Sequence, residues 1–387
     1  MEHGSVAFGG LGGRAMAHSW QEESFERDTV AGRRRGGCKG LRPAGVAGVL
    51  AVLMTAWLLP AADAGERVLR FHHFLPEKSP QQQDIYLPWA RKIAEASSGR
   101  LRIEVTPAMQ LGGKPAELLS QVESGKVDIV WTVTGYTPGR FPRLELPWMA
   151  SSRARPTSQA LYEFYETYAR EELASVHVLA VWCHPSGVIM NRIAPVLTPK
   201  DAAGRVLRVP SLVFGEALRG VGAEPKLVAA PQVLKMLQDG AIDGALFPYE
   251  VMPTLKLTRE IRHITEFAGH RGLYTAVFLL AMNKGAYDAL DEQDRKVIDA
   301  HSGAALSAEL GRIWDEIEEV GRQDFAAAGG VVTFVKNADY EAWVRASEPA
   351  IAAWKEGIGR RTGIDGDKLI GAAKELIAKY TARERNE

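Results

Sequence analysis

Cysteine is nearly absent from this 387-residue chain, with Cys38 and Cys183 the two present. Cys38 falls in a segment that reads as a leader, so Cys183 stands alone in the mature chain and a disulfide within one molecule is excluded. Net charge is absent too. Lys plus Arg and Asp plus Glu each number 47, so no overall field draws the chain to nucleic acid or to an acidic membrane surface, and a charged ligand must be recognised by local groups. No GxSxG, HExxH, P-loop, EF-hand loop or paired CxxC occurs, which removes the usual equipment of hydrolases, metalloproteases and nucleotide enzymes. Leu111-Gly112-Gly113-Lys114 lacks the rest of a phosphate loop and reads as a turn. His72 and His73 adjoin a strand end with no third ligand at metal spacing, so they read as an edge pair hydrogen-bonded to backbone or ligand. Cys183 and His184 are neighbours on a strand and point to opposite faces, which argues against a nucleophile and base and leaves Cys183 as a buried apolar thiol. Nothing calls for a cofactor or a metal.

What is present begins with an export signal. Arg33, Arg34, Arg35, Lys39 and Arg42 precede an apolar run from Ala44 to Leu59, and Ala62-Asp63-Ala64 supplies small residues at a cleavage site. The run is shorter than the roughly 18 residues of a membrane span and Pro60 ends it, so residues 1–64 are expected to leave as leader and signal peptide. Residues 1 to 32 read as the product of an upstream start codon. The remainder, in a chain with 46% apolar and 24% charged residues, has the balance of a globular protein long enough for two cores.

From Val68 the chain alternates short apolar runs with helical patterns, the signature of sheets covered by helices. Val68 to Phe71 reads as a strand. Ser79-Pro80 opens a helix that Gly99 ends, and Leu101, Ile103 and Val105 alternate with Arg102 and Glu104 as a second strand. The next unit occurs twice: Leu118, Leu119, Val122, Gly125, Val127 and Asp128 match Val233, Leu234, Leu237, Gly240, Ile242 and Asp243 without a gap. Each copy predicts a short helix with a proline (Pro115 or Pro231) near its start, a glycine stop and an immediate strand, which favours two related lobes. Tyr274 to Met282 is strand-like again, and a strand crossing back into the first lobe makes the connection multiple and hinge-like. Asp291 to about Ala327 reads as one charged amphipathic stretch, followed by a strand at Val331 to Val335 and two or three helices. The fold class is therefore α/β in two lobes. Residues 65–186 plus 274–313 are expected to form lobe I and residues 187–273 plus 314–387 lobe II and the C-terminal helices, with the long helix expected to brace both, although periodicity alone fits packing on one lobe equally well.

Five segments, in order, carry a family resemblance: Gln110-Leu111-Gly112, Gly125-Lys126-Val127-Asp128-Ile129, Gly204-Arg205-Val206-Leu207-Arg208-Val209-Pro210, Gly222-Ala223-Glu224-Pro225, and Gln238-Asp239-Gly240-Ala241-Ile242-Asp243-Gly244. From about Val68 to Lys379 the chain resembles the solute receptors of TRAP transporters, the tripartite ATP-independent periplasmic systems. The resemblance implies a periplasmic binding protein of the Venus flytrap type that delivers a small carboxylate to integral membrane subunits, driven by an ion gradient and without catalysis; a monomer is expected, though nothing in the sequence fixes whether two copies associate.

It further implies that Arg208 is the carboxylate-binding arginine. The residue type suits the task, because a guanidinium offers a rigid fork of donors and keeps its charge when a closing cleft removes water. The chain departs from the sialic-acid-binding members in two places. Ser186-Gly187-Val188 stands where they carry a second arginine, ahead of the pair matching Asn191-Arg192, and Phe247 replaces an asparagine. Trp131, Tyr136, Phe247 and Tyr249 fall at or just after strand ends, as do His73, Phe74 and Trp182, and Tyr274 opens the returning strand. Flat rings suit a flat acid, so an aromatic carboxylate such as a benzoate relative is expected, with about half the rings contacting it and the others in the core. Thr132, Thr134 and Ser211 offer hydroxyls from the same rims, and Glu250 reads as either a gate or a solvated side chain. The competing readings are a receptor for an ATP-driven importer, a periplasmic enzyme on organic acids with His72, His73 or His184 as base, and a sensory module.

Overall fold

The alternating segments around Val68 and Leu101 form the first two strands of the computed structural model, which describes residues 66–147, 153–267 and 273–386. The expected leader and signal peptide, with Cys38, lie outside the described residues. Strands β1 (Arg67–His72) and β2 (Leu101–Thr106) run parallel, with Leu69 opposite Ile103. Between them Ser79 Oγ accepts from Gln82 N at 3.3 Å, capping a helical run that ends where Gly99 takes φ +80. The first part of that run is a π-helix, Gln81–Tyr86, and the α-helix Leu87–Ala96 follows. The wide turn lies just ahead of Pro88, whose ring would clash with an i−4 carbonyl, and it turns both Gln81 and Gln82 inward.

The repeated sequence unit is a repeated structure. Helix Leu118–Glu123 leads to β3 (Ile129–Val133), and helix Val233–Gln238 leads to β8 (Gly244–Phe247). Gly125 and Gly240 stop the two helices at φ +74 and +69, the left-handed region that favours glycine. Asp128 Oδ2 accepts from Arg70 N, and Asp243 Oδ2 accepts from Val206 N, each at 2.8 Å. Even the cover on the helix ends recurs, for Asn283 Nδ2 donates to Val122 O and Arg192 Nη1 to Leu237 O, both at 2.7 Å.

Six further strands complete the pattern up to the last: β4 (Val176–Cys183), β5 (Val188–Asn191), β6 (Val206–Val209), β7 (Glu224–Leu227), β9 (His263–Phe267) and β10 (Val277–Asn283); β11 (Val331–Val335) comes near the C-terminus. They build two sheets, ordered β2-β1-β3-β10-β4 and β11-β9-β5-β8-β6-β7. The strand expected to return does so, since β10 lies antiparallel between β3 and β4. The chain thus passes between sheets after β4, after β9 and after β10. At the first two passages Gly187 and Tyr274 form an isolated antiparallel bridge, Gly187 N donating to Tyr274 O at 2.8 Å. Multiple crossings of this kind make a hinge.

The stretch expected to be continuous from Asp291 to Ala327 is instead two helices, Glu292–Ala300 and Gly303–Ala327. Gly303 at φ +75 breaks it, and Asp291 caps the first piece by accepting from Asp294 N at 2.7 Å. The 25-residue second helix braces both halves. At Gly311 it packs on helix Ala154–Phe164, where a Cβ would lie 2.7 Å from Ala154 O, and at Gly321 it abuts the backbone of Tyr249. Helix Asn337–Thr362 packs on the second sheet's side through Trp343, whose indole donates to Leu197 O at 2.9 Å. Helix Gly366–Glu384 returns to helix Ala154–Phe164, with the Lys379 amine 2.6 Å from the Glu163 carboxylate.

Candidate functional site

Arg208 is the third residue of β6, between Leu207 and Val209, and alternation sends its side chain to the opposite face from theirs. It is 2% exposed. Its Nε donates to Val228 O at 2.9 Å, Nη1 to Leu246 O at 2.8 Å, and Nη2 to the Tyr136 hydroxyl at 3.3 Å. The guanidinium carbon stands 3.9 Å from the centre of the Phe247 ring. All three acceptors are neutral, and among the described residues no carboxylate lies within ion-pair distance of Arg208. A guanidinium has five N–H donors, so one remains on each terminal nitrogen. A buried cation without an opposite charge is costly by several kcal/mol, and an anion arriving there removes that cost.

The cavity beside Arg208 lies between the two sheets, beyond the ends of β1, β3, β6 and β8, and encloses about 40 Å³ of free volume. Of the candidate residues named from sequence, Arg208, Phe247, Trp131, Tyr136, Phe74 and Tyr274 stand on its wall. Phe74 stacks on Trp131 with centroids 4.6 Å apart, and Tyr274 packs against Phe214 at 4.8 Å. Gly187 has no substitute beside that ring, because any Cβ there would overlap Tyr274.

The other six candidates are buried off the wall. Trp182 packs at 5.5 Å on both Phe278 and Trp314. Tyr249 lies under the long helix, where its hydroxyl donates to Glu266 Oε1 at 2.6 Å and Arg322 covers its ring at 4.5 Å. Thr132 follows Trp131 on β3 and faces the other way. Thr134 and Ser211 line a separate space of about 10 Å³, with Thr134 Oγ1 donating to Val277 O at 3.4 Å. His73 lies behind Trp131, 6.4 Å between ring centres.

The wall also carries residues that sequence reasoning did not single out, among them Leu75, Ala276, Phe278 and Thr254. Glu250 is there too, only 6% exposed, so it is not a solvated side chain. Its Oε2 accepts from Gln81 Nε2 at 2.5 Å, a bond that joins the segment after β8 to the segment after β1. Burial raises its carboxyl to about 7.

The three histidines considered as bases are all occupied. His72 pairs Nδ1 with Gln121 Oε1 at 2.8 Å and accepts at Nε2 from Leu111 N. His73 pairs Nε2 with Gln82 Oε1 at 2.5 Å and accepts at Nδ1 from Leu75 N. His184, on the cavity wall, donates from Nδ1 to Pro185 O and accepts at Nε2 from Ala276 N at 2.9 Å. Burial holds His73 down to about 4, and burial followed by the Arg208 charge holds His184 at about 3, so neither carries a charge near neutrality. Cys183 is buried and free, its thiol pushed to about 12 by burial. Among the described residues no cluster of His, Cys, Asp or Glu could hold a metal ion, and no helix is long and apolar enough to cross a membrane.

Two α/β halves joined at a multiple crossing, with an unpaired guanidinium in the seam between them, define a two-lobed solute-binding protein. The model of the bacterial extracellular solute-binding proteins, family 7, matches residues 71–357, and the chain belongs to that family. It is similar, at 26% identity over 80% of this chain and 91% of the other, to an outer membrane transporter protein of Comamonas testosteroni. Among solved structures it resembles a marine metagenome TRAP solute-binding protein specific for aromatic acid ligands, in complex with 3-hydroxybenzoate. The identity is 41%, covering 81% of this chain and 99% of that one, with a TM-score of 0.79. A TRAP solute-binding protein from Rhodoferax ferrireducens T118, with copurified benzoate, is 38% identical over 82% of this chain and 99% of its own, also at a TM-score of 0.79.

Proposed function

We propose that this solute-binding protein captures a small aromatic monocarboxylate in the cavity between its lobes and delivers it to the membrane subunits of a TRAP transporter in the periplasm, after export directed by residues 1–64. The observation that carries the reading is the buried Arg208 with no carboxylate partner among the described residues, facing a wall of flat rings. The acid's two oxygens meet the free N–H on each terminal nitrogen, and Phe74, Trp131, Phe247 and Phe278 enclose its ring. Closure excludes water, which strengthens each polar contact. The aromatic acids held by the two solved relatives support the ligand class.

No reaction is catalysed in this reading. Both nitrogens of His72, His73 and His184 are engaged, which leaves none of them free to take a substrate proton. Thermal-shift titration of the purified protein against aromatic, aliphatic and sugar acids is the test. Binding to the folded state raises the transition temperature, so benzoate-class acids should raise it and the other two classes should not. A response to sugar acids alone would remove the ligand assignment, and recovery of a chemically altered acid would remove the receptor reading.

A further inference from the structure

Arg208 is not the only ionisable side chain on the cavity wall without an opposite charge. Glu250 stands on the same wall, held by Gln81 through one carboxyl oxygen, and among the described residues it makes no ion pair. Val251, Leu255 and Leu75 share the wall with it, and behind the wall the Trp314 indole and the Tyr86 phenol lie within electrostatic reach of its carboxyl. Thr254 is a polar neighbour on the wall itself, and its hydroxyl is already directed to Glu250 O at 3.1 Å. The position of Glu250 is fixed from behind as well, because its backbone N–H donates to Glu318 Oε2 on the long helix at 3.0 Å.

Resting on the aromatic monocarboxylate reading, we propose that Glu250 sets specificity within that class: its carboxyl hydrogen-bonds a hydroxyl on the ring of the bound acid and excludes a ligand carrying a second carboxylate. A hydroxyl both donates and accepts, so it satisfies Glu250 whether that carboxyl is ionised or protonated. Both forms are present near neutrality, since burial raises the group to about 7. A bare ring offers the carboxyl nothing, and a buried polar group facing apolar surface loses its hydration without return. A second carboxylate is worse, because two acids sharing one buried site cannot both ionise.

The test is calorimetric titration of the purified protein with benzoate, the three hydroxybenzoates and the three benzenedicarboxylates. The best hydroxybenzoate should bind about tenfold more tightly than benzoate, and every dicarboxylate about a hundredfold more weakly. In Glu250→Gln, which keeps an acceptor for Gln81 but removes the charge, the penalty on the best dicarboxylate relative to benzoate should shrink by about tenfold. Benzoate binding with a flat series across hydroxyl and carboxyl substituents overturns the role of Glu250 and leaves the ligand class standing. Failure of every aromatic acid to bind sinks both. The unmodified protein's series decides the matter even where the variant does not fold.

Discussion

The hydroxyl of Tyr136, just beyond β3 of the first sheet, accepts from the Arg208 guanidinium at 3.3 Å, and Arg208 belongs to the second sheet. The same oxygen accepts from Ala230 N at 2.8 Å, also on the second sheet's side. One phenol therefore ties the halves together at the residue proposed to hold the ligand, and it still has its own proton to donate.

Tyr136→Phe tests that tie. The ring stays in the cavity wall while Ala230 N and one Arg208 donor lose their acceptor. A hydrogen bond to a charged group contributes about 1.5–3 kcal/mol, so benzoate affinity should fall by about tenfold or more in calorimetric titration. An unchanged affinity would show that Tyr136 packs against the site without taking part in closure.

Arg208→Ala should weaken binding of the acid by at least about a hundredfold, because the charge and both remaining donors disappear together. The transition temperature of the ligand-free protein should move little. Val228 O and Leu246 O lose their donors, but a buried cation without a counter-charge is removed at the same time, and the two effects oppose. Arg208→Lys should not restore affinity, since an ammonium lacks the fork. Strong binding by the lysine variant would contradict the proposed geometry.

Stability should fall as pH rises from about 6.5 to 8. Burial raises Glu250 and Glu172 to about 7 and Glu318 to about 8, above the unfolded value of about 4.3. The folded protein then binds more protons than the unfolded chain across that range, so stability present at low pH is lost as pH climbs through the folded values. The buried neutral histidines act in the opposite sense. With His73 held to about 4 and His184 to about 3, their contribution grows with pH only up to the unfolded value of about 6.5. Above that point the histidine contribution fades over about one further pH unit and the carboxyls dominate. Urea midpoints measured at pH 6.5 and 8 should show the decline, and Glu318→Gln should flatten it. A stability that rises across this interval would mean that the carboxyls are not buried as described.

What could be read from sequence was mainly what is decided locally. The paired units around Gly125 and Gly240 were legible because a left-handed glycine, a capping aspartate and a short helix are written in neighbouring residues. The break at Gly303 was also local, but it was hidden by charged, periodic sequence on both sides. The cavity wall was legible only in part. Trp131 and Thr132 share the fully buried strand β3, where both faces are covered, so composition gives the period of two but not its phase. Tyr249 sits two residues beyond Phe247, yet the long helix covers it, and no local signal announces a contact with a residue about 70 positions away. Glu250 reached the wall by the same non-local packing.

The contact at Gly321 gives the bracing helix its sharpest test. Alanine normally favours a helix over glycine by about 1 kcal/mol, and at Gly357, where a Cβ meets nothing within 4 Å, Gly357→Ala should stabilise by roughly that amount. At Gly321 the added methyl would overlap Tyr249 O, in the backbone that carries Glu250 into the cavity. Overpacking of this kind costs about 1–3 kcal/mol and exceeds the gain in propensity, so Gly321→Ala should destabilise in urea unfolding. It should also weaken binding, because the helix can relieve the clash only by moving away from the loop that bears Glu250. Stabilisation at both glycines would mean that the long helix does not clamp the second half of the molecule through Tyr249.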